Sequence, residues 1–266
     1  MKLLYANVIG YTGTPFVILH GFLGSGDNWK TLAKRFSELG HQVHVLDQRN
    51  HGKSFHDRAF NYEVMAEDLR FYCSHHRLKD IVLLGHSMGG KVAMNFTLKY
   101  PNLIKQLIVV DIAPRYYPAH HQGILHGLNA IDFDKVRTRQ DAEIILSDFV
   151  KEPGTQQFLL KNLFWVEPNR LGWRMNLEVL TEQVEAIGQE LKDFPNVTTP
   201  SLFLKGSKSE YVIPKDEERI LNQFENVEIK EIANAGHWLH AENPNDFFDA
   251  VASFLLKGRI GVRDYL

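Results

Sequence analysis

The feature that most constrains the fold is a regular alternation of short apolar runs with longer stretches of helical spacing. The runs are too short to be buried helices, and amphipathic segments separate them. This alternation is typical of an α/β protein, in which a mostly parallel sheet is flanked by helices. The predicted strands are Pro15–Leu19, Gln42–Leu46, Ile81–Leu84, Leu107–Val110 and Ser201–Leu204. A further run, Val227–Ile232, alternates apolar and charged residues, which predicts an edge strand with one solvated face.

The chain also marks its last helix. Asn243 is a typical capping residue, and Pro244 suits the first helical turn. Apolar residues then recur at helical spacing and predict a buried stripe of Phe247, Val251, Phe254 and Leu255. We therefore expect a long amphipathic helix after the last strand.

One long stretch breaks the alternation. Between Pro114 and Asn196 no run predicts a strand, whereas several segments have helical spacing. Thr138 and Asp141 resemble a capping pair at the start of one of these helices. We therefore predict a core formed by residues 1–113 and 197–266, with a helical insertion, residues 114–196, which we call the cap.

Composition and charge narrow the function classes. A formal net charge of −2 over 266 residues gives no electrostatic basis for binding nucleic acid. The single cysteine, Cys73, excludes an internal disulfide, and no cysteine pair has zinc-site spacing. The first residues carry too short an apolar run for a signal peptide, and no stretch approaches the roughly 18 apolar residues of a membrane span. We therefore expect a cytoplasmic protein with no membrane span.

The motif that carries the chemistry is Gly85-His86-Ser87-Met88-Gly89. A G-x-S-x-G pattern is common by chance, but here it lies between a predicted strand and a predicted helix, which is the context of a nucleophile elbow. Glycines are needed on both sides because the sharp turn strains the backbone and packs closely against its neighbours. The pattern predicts Ser87 as a catalytic nucleophile.

Two other segments offer the groups that such a serine needs. His20–Ser25 directly follows a strand, so the backbone N–H of Phe22 is expected to form an oxyanion hole with that of Met88. The general base is predicted to be His237, which follows the last strand more closely than His240 does. We expect His240 to support the site structurally.

Other histidines and aromatic residues allow less specific predictions. His120, His121 and His126 lack the spacing and carboxylate support of a metal site, so we expect no metal. Four aromatic residues are expected either to line an apolar acyl pocket or to be ordinary packing residues of the cap and its surroundings, and the sequence does not distinguish these two roles. They are Phe164, Trp165, Trp173 and Trp238.

Over nearly its whole length the sequence resembles the α/β-hydrolase superfamily. The resemblance is carried in order by HGFLGS (His20–Ser25), DQRNHGKS (Asp47–Ser54), GHSMGG (Gly85–Gly90) and GHWLHAE (Gly236–Glu242). VVDIAP (Val109–Pro114) and WRMNL (Trp173–Leu177) resemble the bacterial YbfF-type esterases and their eukaryotic abhydrolase-domain relatives. The resemblance implies an α/β-hydrolase fold with its cap after the sixth strand. It also implies hydrolysis of carboxylic esters and acyl-CoA thioesters without a cofactor.

The acidic member of the triad departs from the commonest pattern of that superfamily. The segment that usually carries it has Ser209 at the expected aspartate position, and serine cannot offset the charge of an imidazolium. Asp111 ends a neighbouring strand and can reach the histidine, because both strand ends open on the same sheet edge. The YbfF-type esterases resemble this chain in placing their acid there. We assign Asp111, with Glu210 as the alternative acid and a helix cap as the alternative role of Asp111.

The residues of the DQRNHGKS segment are expected to be structural. We interpret Asp47, Arg49 and Ser54 as turn and hydrogen-bonding residues rather than catalysts. The sequence as a whole therefore predicts a serine hydrolase acting on small-molecule acyl esters or thioesters. Three alternatives share the same triad: a carbon–carbon bond hydrolase, a cofactor-free perhydrolase and a ligand sensor that turns over slowly. An epoxide hydrolase or haloalkane dehalogenase is disfavoured because those enzymes need an aspartate at the position of Ser87.

Overall fold

The computed structural model of the chain describes residues 2–118, 121–191 and 196–260. Its strands are β1 (Ala6–Ile9), β2 (Thr14–Leu19), β3 (His41–Leu46), β4 (Ile81–His86), β5 (Ile104–Val110), β6 (Leu163–Glu167), β7 (Arg170–Trp173), β8 (Ser201–Gly206) and β9 (Val227–Ile232). Its α-helices are α1 (Lys30–Glu38), α2 (Tyr62–His75), α3 (Met88–Lys99), α4 (Gln122–Asn129), α5 (Arg139–Ser147), α6 (Pro153–Leu160), α7 (Leu177–Glu182), α8 (Val184–Gly188), α9 (Pro214–Gln223), α10 (Leu239–Glu242) and α11 (Pro244–Ile260). Every predicted strand is present.

Seven of these strands form one sheet in the order β1-β3-β2-β4-β5-β8-β9. All neighbours are parallel except β1, which pairs antiparallel with β3. The prediction that Val227–Ile232 forms an edge strand is confirmed, since β9 ends the sheet. The carboxyl ends of the parallel strands open on one edge, where α/β proteins build their sites.

Helices bury both faces of this sheet. Along β2, Phe16 and Ile18 pack on one face, while Val17 and Leu19 pack on the other. The first face is covered by α1 and α11, and the second by α2 and α3. The stripe predicted for the last helix packs on the first face, and its residues Phe247, Val251, Phe254 and Leu255 are buried. As predicted, this helix begins at Pro244, and Asn243 accepts a hydrogen bond from the backbone of Asp246 at 3.4 Å.

The cap follows β5, the fifth strand among the described residues, rather than the sixth strand expected from the resemblance. Five helices, α4 to α8, make up most of it, and α5 begins with the predicted capping box of Thr138 and Asp141. The expectation that the cap contains no strand is wrong, because β6 and β7 form an antiparallel hairpin. Pro168 and Asn169 make its turn, with Asn169 at φ 64°. This turn between aromatic-rich runs was the sequence signal for the hairpin.

The described cap packs onto the core without a separate hydrophobic centre. Its buried side chains, such as Leu128, Leu146 and Leu180, belong to the same cluster as Val92 and Phe96 of α3. The division of the chain into a core and an inserted cap stays a prediction.

Candidate active site

The site lies where three strand ends meet. Ser87 follows β4, Asp111 follows β5, and His237 lies in the loop after β9. The backbone ladder continues one step beyond the strands: Ser87 N–H donates to the Val110 carbonyl at 2.9 Å, and Asp111 N–H donates to the Leu204 carbonyl at 2.7 Å. The positions of both residues are therefore set by the sheet itself.

Ser87 occupies a strained turn. Its backbone has φ 52° and ψ −119°, a conformation that L-residues rarely adopt. The flanking glycines allow the turn to pack closely: a Cβ on Gly85 would lie 2.1 Å from the Gly89 carbonyl oxygen, and one on Gly89 would lie 2.5 Å from that of Leu19. Helix α3 starts at Met88, so Ser87 lies at the amino end of a helix dipole. This is the geometry that the strand–turn–helix context predicts.

Asp111 and His237 are hydrogen-bonded. His237 Nδ1 lies 2.7 Å from Asp111 Oδ2, within the 3.2 Å that the predicted pairing requires. The Asp111 side chain is fully buried, and it also accepts hydrogen bonds from the Gly206 N–H at 3.1 Å and from the Ser209 hydroxyl. Burial raises the pKa of Asp111 to about 6, against the lowering effect of the bonds from Ser209 and Gly206. The carboxylate is therefore charged at neutral pH.

The segment that carries the acid in most relatives supports Asp111 here. Ser209 donates its hydroxyl hydrogen to the carboxylate, a contact that sequence reasoning did not predict. Tyr211 stacks its ring on the His237 imidazole, with centroids 3.7 Å apart. Glu210, the alternative acid, is exposed at the surface. The geometry thus favours Asp111 over Glu210 as the partner of His237.

Two buried, neutral histidines form hydrogen bonds that hold the backbone of the predicted oxyanion loop and of the loop beside it. His51 Nε2 accepts from the Leu23 N–H at 3.1 Å, while its Nδ1 donates to the Arg49 carbonyl. His20 Nε2 accepts from the Gln48 N–H at 3.0 Å. Burial lowers the pKa of His51 to about 3 and that of His20 to about 4, so both rings stay neutral and able to accept. These contacts fix the loop next to Phe22.

The DQRNHGKS segment has the contacts expected of structural residues. Asp47 accepts from the Gly26 N–H at 2.7 Å and from the Lys53 N–H at 2.8 Å. Ser54 donates to the Asp47 carbonyl, and Arg49 forms a buried bidentate ion pair with Asp68. These bonds hold the neighbouring loops together.

An apolar cavity of about 270 Å³ lies beside the nucleophile. Ser87, His237 and Phe22 line it together with Trp238, while Ile124, Thr155, Phe158 and Leu159 of the cap contribute its outer wall. A second cavity of about 20 Å³ adjoins Ser87, Met88 and Phe22 on the other side. The structure therefore brings together all five residues predicted for the catalytic machinery, together with Trp238.

The other three predicted pocket residues lie elsewhere. Trp165 is 57% exposed on the hairpin, whereas Trp173 packs edge-on against Phe133. The Phe164 ring lies under the Arg174 guanidinium, 4.6 Å away. Neither cavity beside Ser87 is lined by Phe164, Trp165 or Trp173. These three residues lie on the hairpin, and the aromatic residue that the cap contributes to the large cavity is instead Phe158 of α6.

Two further histidines support the base. His86 Nε2 donates to the His237 carbonyl at 2.8 Å, and the buried His240 stacks flat on Trp29 with centroids 4.2 Å apart. The position of His240 matches the supporting role expected of it, whereas the role of His86 was not predicted. Both rings are buried, which lowers their pKa well below the ordinary histidine value.

Of the cap histidines, His121 lines both cavities and packs against Phe22 with ring centroids 5.2 Å apart. His126 lies in α4, and His120 is outside the described residues. Within the described ranges no three His, Cys, Asp or Glu side chains are grouped so as to hold a metal ion. In the same part of the chain, no helix combines the length and apolar character needed to cross a membrane.

Comparison with known proteins identifies one family and several similar esterases and lipases. Residues 14–244 match the family described as the alpha/beta hydrolase fold. The chain is 40% identical over 263 residues to the sn-1-specific diacylglycerol lipase ABHD11 of Mus musculus, which covers 96% of this chain and 85% of the lipase. It is 36% identical over 247 residues to esterase YbfF of Escherichia coli, covering 92% of this chain and 94% of the esterase.

Among solved structures, a marine microorganism esterase superposes with a TM-score of 0.92 at 38% identity. The match covers 96% of this chain and 100% of that esterase. The range matched by the family, residues 14–244, contains Ser87, Asp111 and His237.

Proposed function

The chain belongs to the alpha/beta hydrolase fold family, whose esterase and lipase members it resembles over most of its length, and we propose that it is a serine carboxylic-ester hydrolase. The observation that carries the proposal is the buried Asp111–His237 hydrogen bond of 2.7 Å beside a cavity that Ser87 and His237 line together. The family match together with the esterase and lipase relatives identifies the protein as a hydrolase. The nucleophile, the acyl-enzyme and the ester specificity are the proposal.

In the first step His237 acts as the general base. Its Nδ1–H donates to Asp111, so Nε2 is the nitrogen that lacks a proton and can accept one from the Ser87 hydroxyl. The Ser87 oxygen attacks the carbonyl carbon, and the carbonyl electron pair moves onto its oxygen. The backbone N–H groups of Phe22 and Met88 stabilise that oxyanion, each donor of this kind contributing about 100-fold or more to the rate.

In the second step the tetrahedral intermediate collapses. The bond between the carbonyl carbon and the leaving oxygen breaks, and His237 gives its proton to the departing alcohol. Asp111 offsets the imidazolium charge throughout. Water, deprotonated by His237, then attacks the acyl-Ser87 ester. The bond between the acyl carbon and the Ser87 oxygen breaks, His237 returns the proton to that oxygen, and the acid is released. The same sequence releases a thiol from a thioester, so the proposal includes acyl thioesters.

Covalent labelling tests the nucleophile directly. A fluorophosphonate probe should label the wild-type protein on Ser87, and Ser87→Ala should lose both labelling and ester hydrolysis, with a fall in kcat of about 10⁶-fold. Ser74→Ala is the matched control because Ser74 is exposed on α2, away from the cavity. Full labelling and activity in Ser87→Ala would refute the proposal.

A cytoplasmic location remains a prediction drawn from the single cysteine and the apolar runs of the sequence.

A further inference from the structure

Ser87 lies between two cavities of very different size. The large cavity has a volume of about 270 Å³ and the small one about 20 Å³. Phe22, Ser87 and Tyr211 border both of them. An ester attacked by Ser87 must direct one arm to each side, so the two arms of a good substrate differ in size.

The catalytic groups decide which arm goes where. His237 lines the large cavity and is absent from the lining of the small one, whereas Met88 lines only the small one. On the proposed mechanism the leaving oxygen must approach His237 to receive its proton, so the alcohol occupies the large side. The acyl carbon chain then extends past Met88 into the small cavity. We propose that the enzyme is specific for esters that join a very short acyl group to a larger apolar alcohol, an inference that rests on the proposed function.

Hydrogen bonds hold the wall of the small cavity in place. The Tyr62 hydroxyl donates to the Ile187 carbonyl at 2.6 Å, and the Tyr117 hydroxyl donates to the Tyr211 carbonyl at 2.6 Å. The Tyr117 N–H donates to the Gly188 carbonyl at 2.9 Å. Moving these segments apart to enlarge the cavity would break partly buried hydrogen bonds, which costs free energy. These bonds therefore favour the small volume, and we expect that volume to disfavour long acyl chains.

The Lys91 amine supports this wall from the side of α3. Its Nζ donates to the carbonyls of Arg115, Gly188 and Gln189, at 2.8, 3.2 and 2.5 Å. These carbonyls lie on the two segments that enter and leave the cap. Lys91 thus ties both segments to α3, the helix that starts directly after Ser87.

The large cavity has a different wall. Four apolar side chains, Ile124, Phe158, Leu159 and Trp238, enclose it, and Phe158 and Trp238 form an aromatic pair at its outer end. A dry cavity of about 150 Å³ accommodates benzene, so this one has room for an apolar group of about ten carbon atoms. The small cavity, at about 20 Å³, has room for about one water molecule or for the methyl group of an acetyl ester.

Two substrate series test the assignment on the wild-type enzyme. In one series the alcohol is constant and the acyl group is acetyl, butyryl, hexanoyl or octanoyl. In the other the acyl group is acetyl and the alcohol is ethyl, butyl, hexyl or octyl. We expect kcat/KM to fall at least about tenfold from acetyl to hexanoyl, and to rise about tenfold or more from ethyl to hexyl acetate.

Two variants locate the effect. Ile187→Ala enlarges the small cavity and should restore hydrolysis of the longer acyl esters about tenfold, with little change in the alcohol series. Phe158→Ala opens the outer end of the large cavity and should alter only the alcohol series. Ile144→Ala is the control, because Ile144 is 62% exposed on α5 and should leave both series unchanged.

The possible failures are distinguishable. A wild-type enzyme that prefers octanoyl to acetyl esters, and gains nothing from a longer alcohol, overturns the assignment of the arms while the serine hydrolase proposal stands. Hydrolysis that persists in Ser87→Ala, or no hydrolysis in either series, overturns the proposed function and this inference with it.

Discussion

The two walls of the large cavity are built by different means. On the core side, Ser87 lines the cavity, and Asp111 lies behind it as the partner of His237. Both residues continue the backbone ladder of the sheet, and a strained turn fixes each of them at φ near 50°. On the cap side, α6 presents apolar side chains such as Phe158 and Leu159. The ladder sets atomic positions closely, whereas packed side chains leave room for substitution. The chemistry therefore depends on the core wall, and the choice of substrate on the cap wall.

The cap is held to the core by a small number of polar contacts as well as by packing. Asn162 donates its side-chain amide to the Leu23 carbonyl at 2.8 Å, and the Asn176 N–H donates to the Asn50 carbonyl at 2.9 Å. The first of these bonds connects the cap to the predicted oxyanion loop. These hydrogen bonds are therefore routes, beside the apolar packing, by which a change in the cap can reach the catalytic residues.

The largest loss of activity should follow a substitution on the core side of the site. Asp111→Asn preserves the shape of the side chain but favours the wrong imidazole tautomer, and a change of this kind costs about 10⁴-fold in kcat. Glu210→Gln should change kcat less than about twofold, because Glu210 is exposed. Steady-state kinetics on a short ester will compare the two. If Glu210→Gln is the damaging variant, the acid lies after the cap and Asp111 is structural.

The next largest effect should be a loss of stability when hydrogen bonds between the core and the cap are removed. Lys91→Met removes three hydrogen bonds to carbonyls and should lower the free energy of unfolding by about 1–3 kcal/mol. Lys91 is fully buried, and burial lowers the pKa of its amine to about 7. Lys99→Met on the same helix removes only the two surface ion pairs with Glu63 and Glu67 and should cost less than about 1 kcal/mol. Urea unfolding measures the free energy of unfolding of both variants. Equal losses of stability would show that the hydrogen bonds of Lys91 do not hold the cap to α3.

A smaller effect should appear in the pH profile. Burial raises the pKa of Asp111 to about 6, and Asp111 is hydrogen-bonded to the base His237. We therefore expect kcat/KM to fall about tenfold per pH unit below about pH 6 as the Asp111–His237 pair takes up a proton. Ser209→Ala removes a bond that lowers this pKa, so it should move the acid limb to higher pH. A profile unchanged in Ser209→Ala would show that another group sets the limb.

The contribution of Asp111 to the free energy of unfolding should depend on pH in the opposite direction to its effect on activity. A raised pKa in the folded state means that this group contributes stability at low pH, which is lost as the pH rises through about 6. Protonation of Asp111 should therefore lower activity without unfolding the protein, which circular dichroism at each pH will check.

The smallest effect should come from the hairpin of the cap. Trp165→Ala should change stability by less than about 0.5 kcal/mol and leave the chain-length profile unchanged, since the ring is largely exposed and borders neither cavity beside Ser87. Phe158→Ala, which trims a residue in the cavity wall, is the comparison. A changed profile in Trp165→Ala would mean that the hairpin contacts the substrate and would weaken the contrast between the two walls.

Local patterns alone determined much of this molecule. Each strand of the parallel sheet and the last helix follow from spacing, capping and apolar periodicity, which act over a few residues. The turn at Ser87 follows from its glycines for the same reason, since Gly85 and Gly89 leave no space for a Cβ. The sequence also predicted that Asp111 lies near His237, because parallel strands open on a common edge.

Tertiary structure decided what depends on contacts between distant residues. The bond from Ser209 to Asp111 joins residues 98 apart, and the bond from His86 to His237 joins residues 151 apart, so no local pattern contains them. The residues of the cavity wall could not be predicted from the sequence either. Phe164, Trp165 and Trp173 are apolar enough to line a cavity, but they lie on the hairpin of the cap and line neither cavity beside Ser87. Side-chain composition is a local property, whereas the direction a side chain faces depends on the packing of the whole chain.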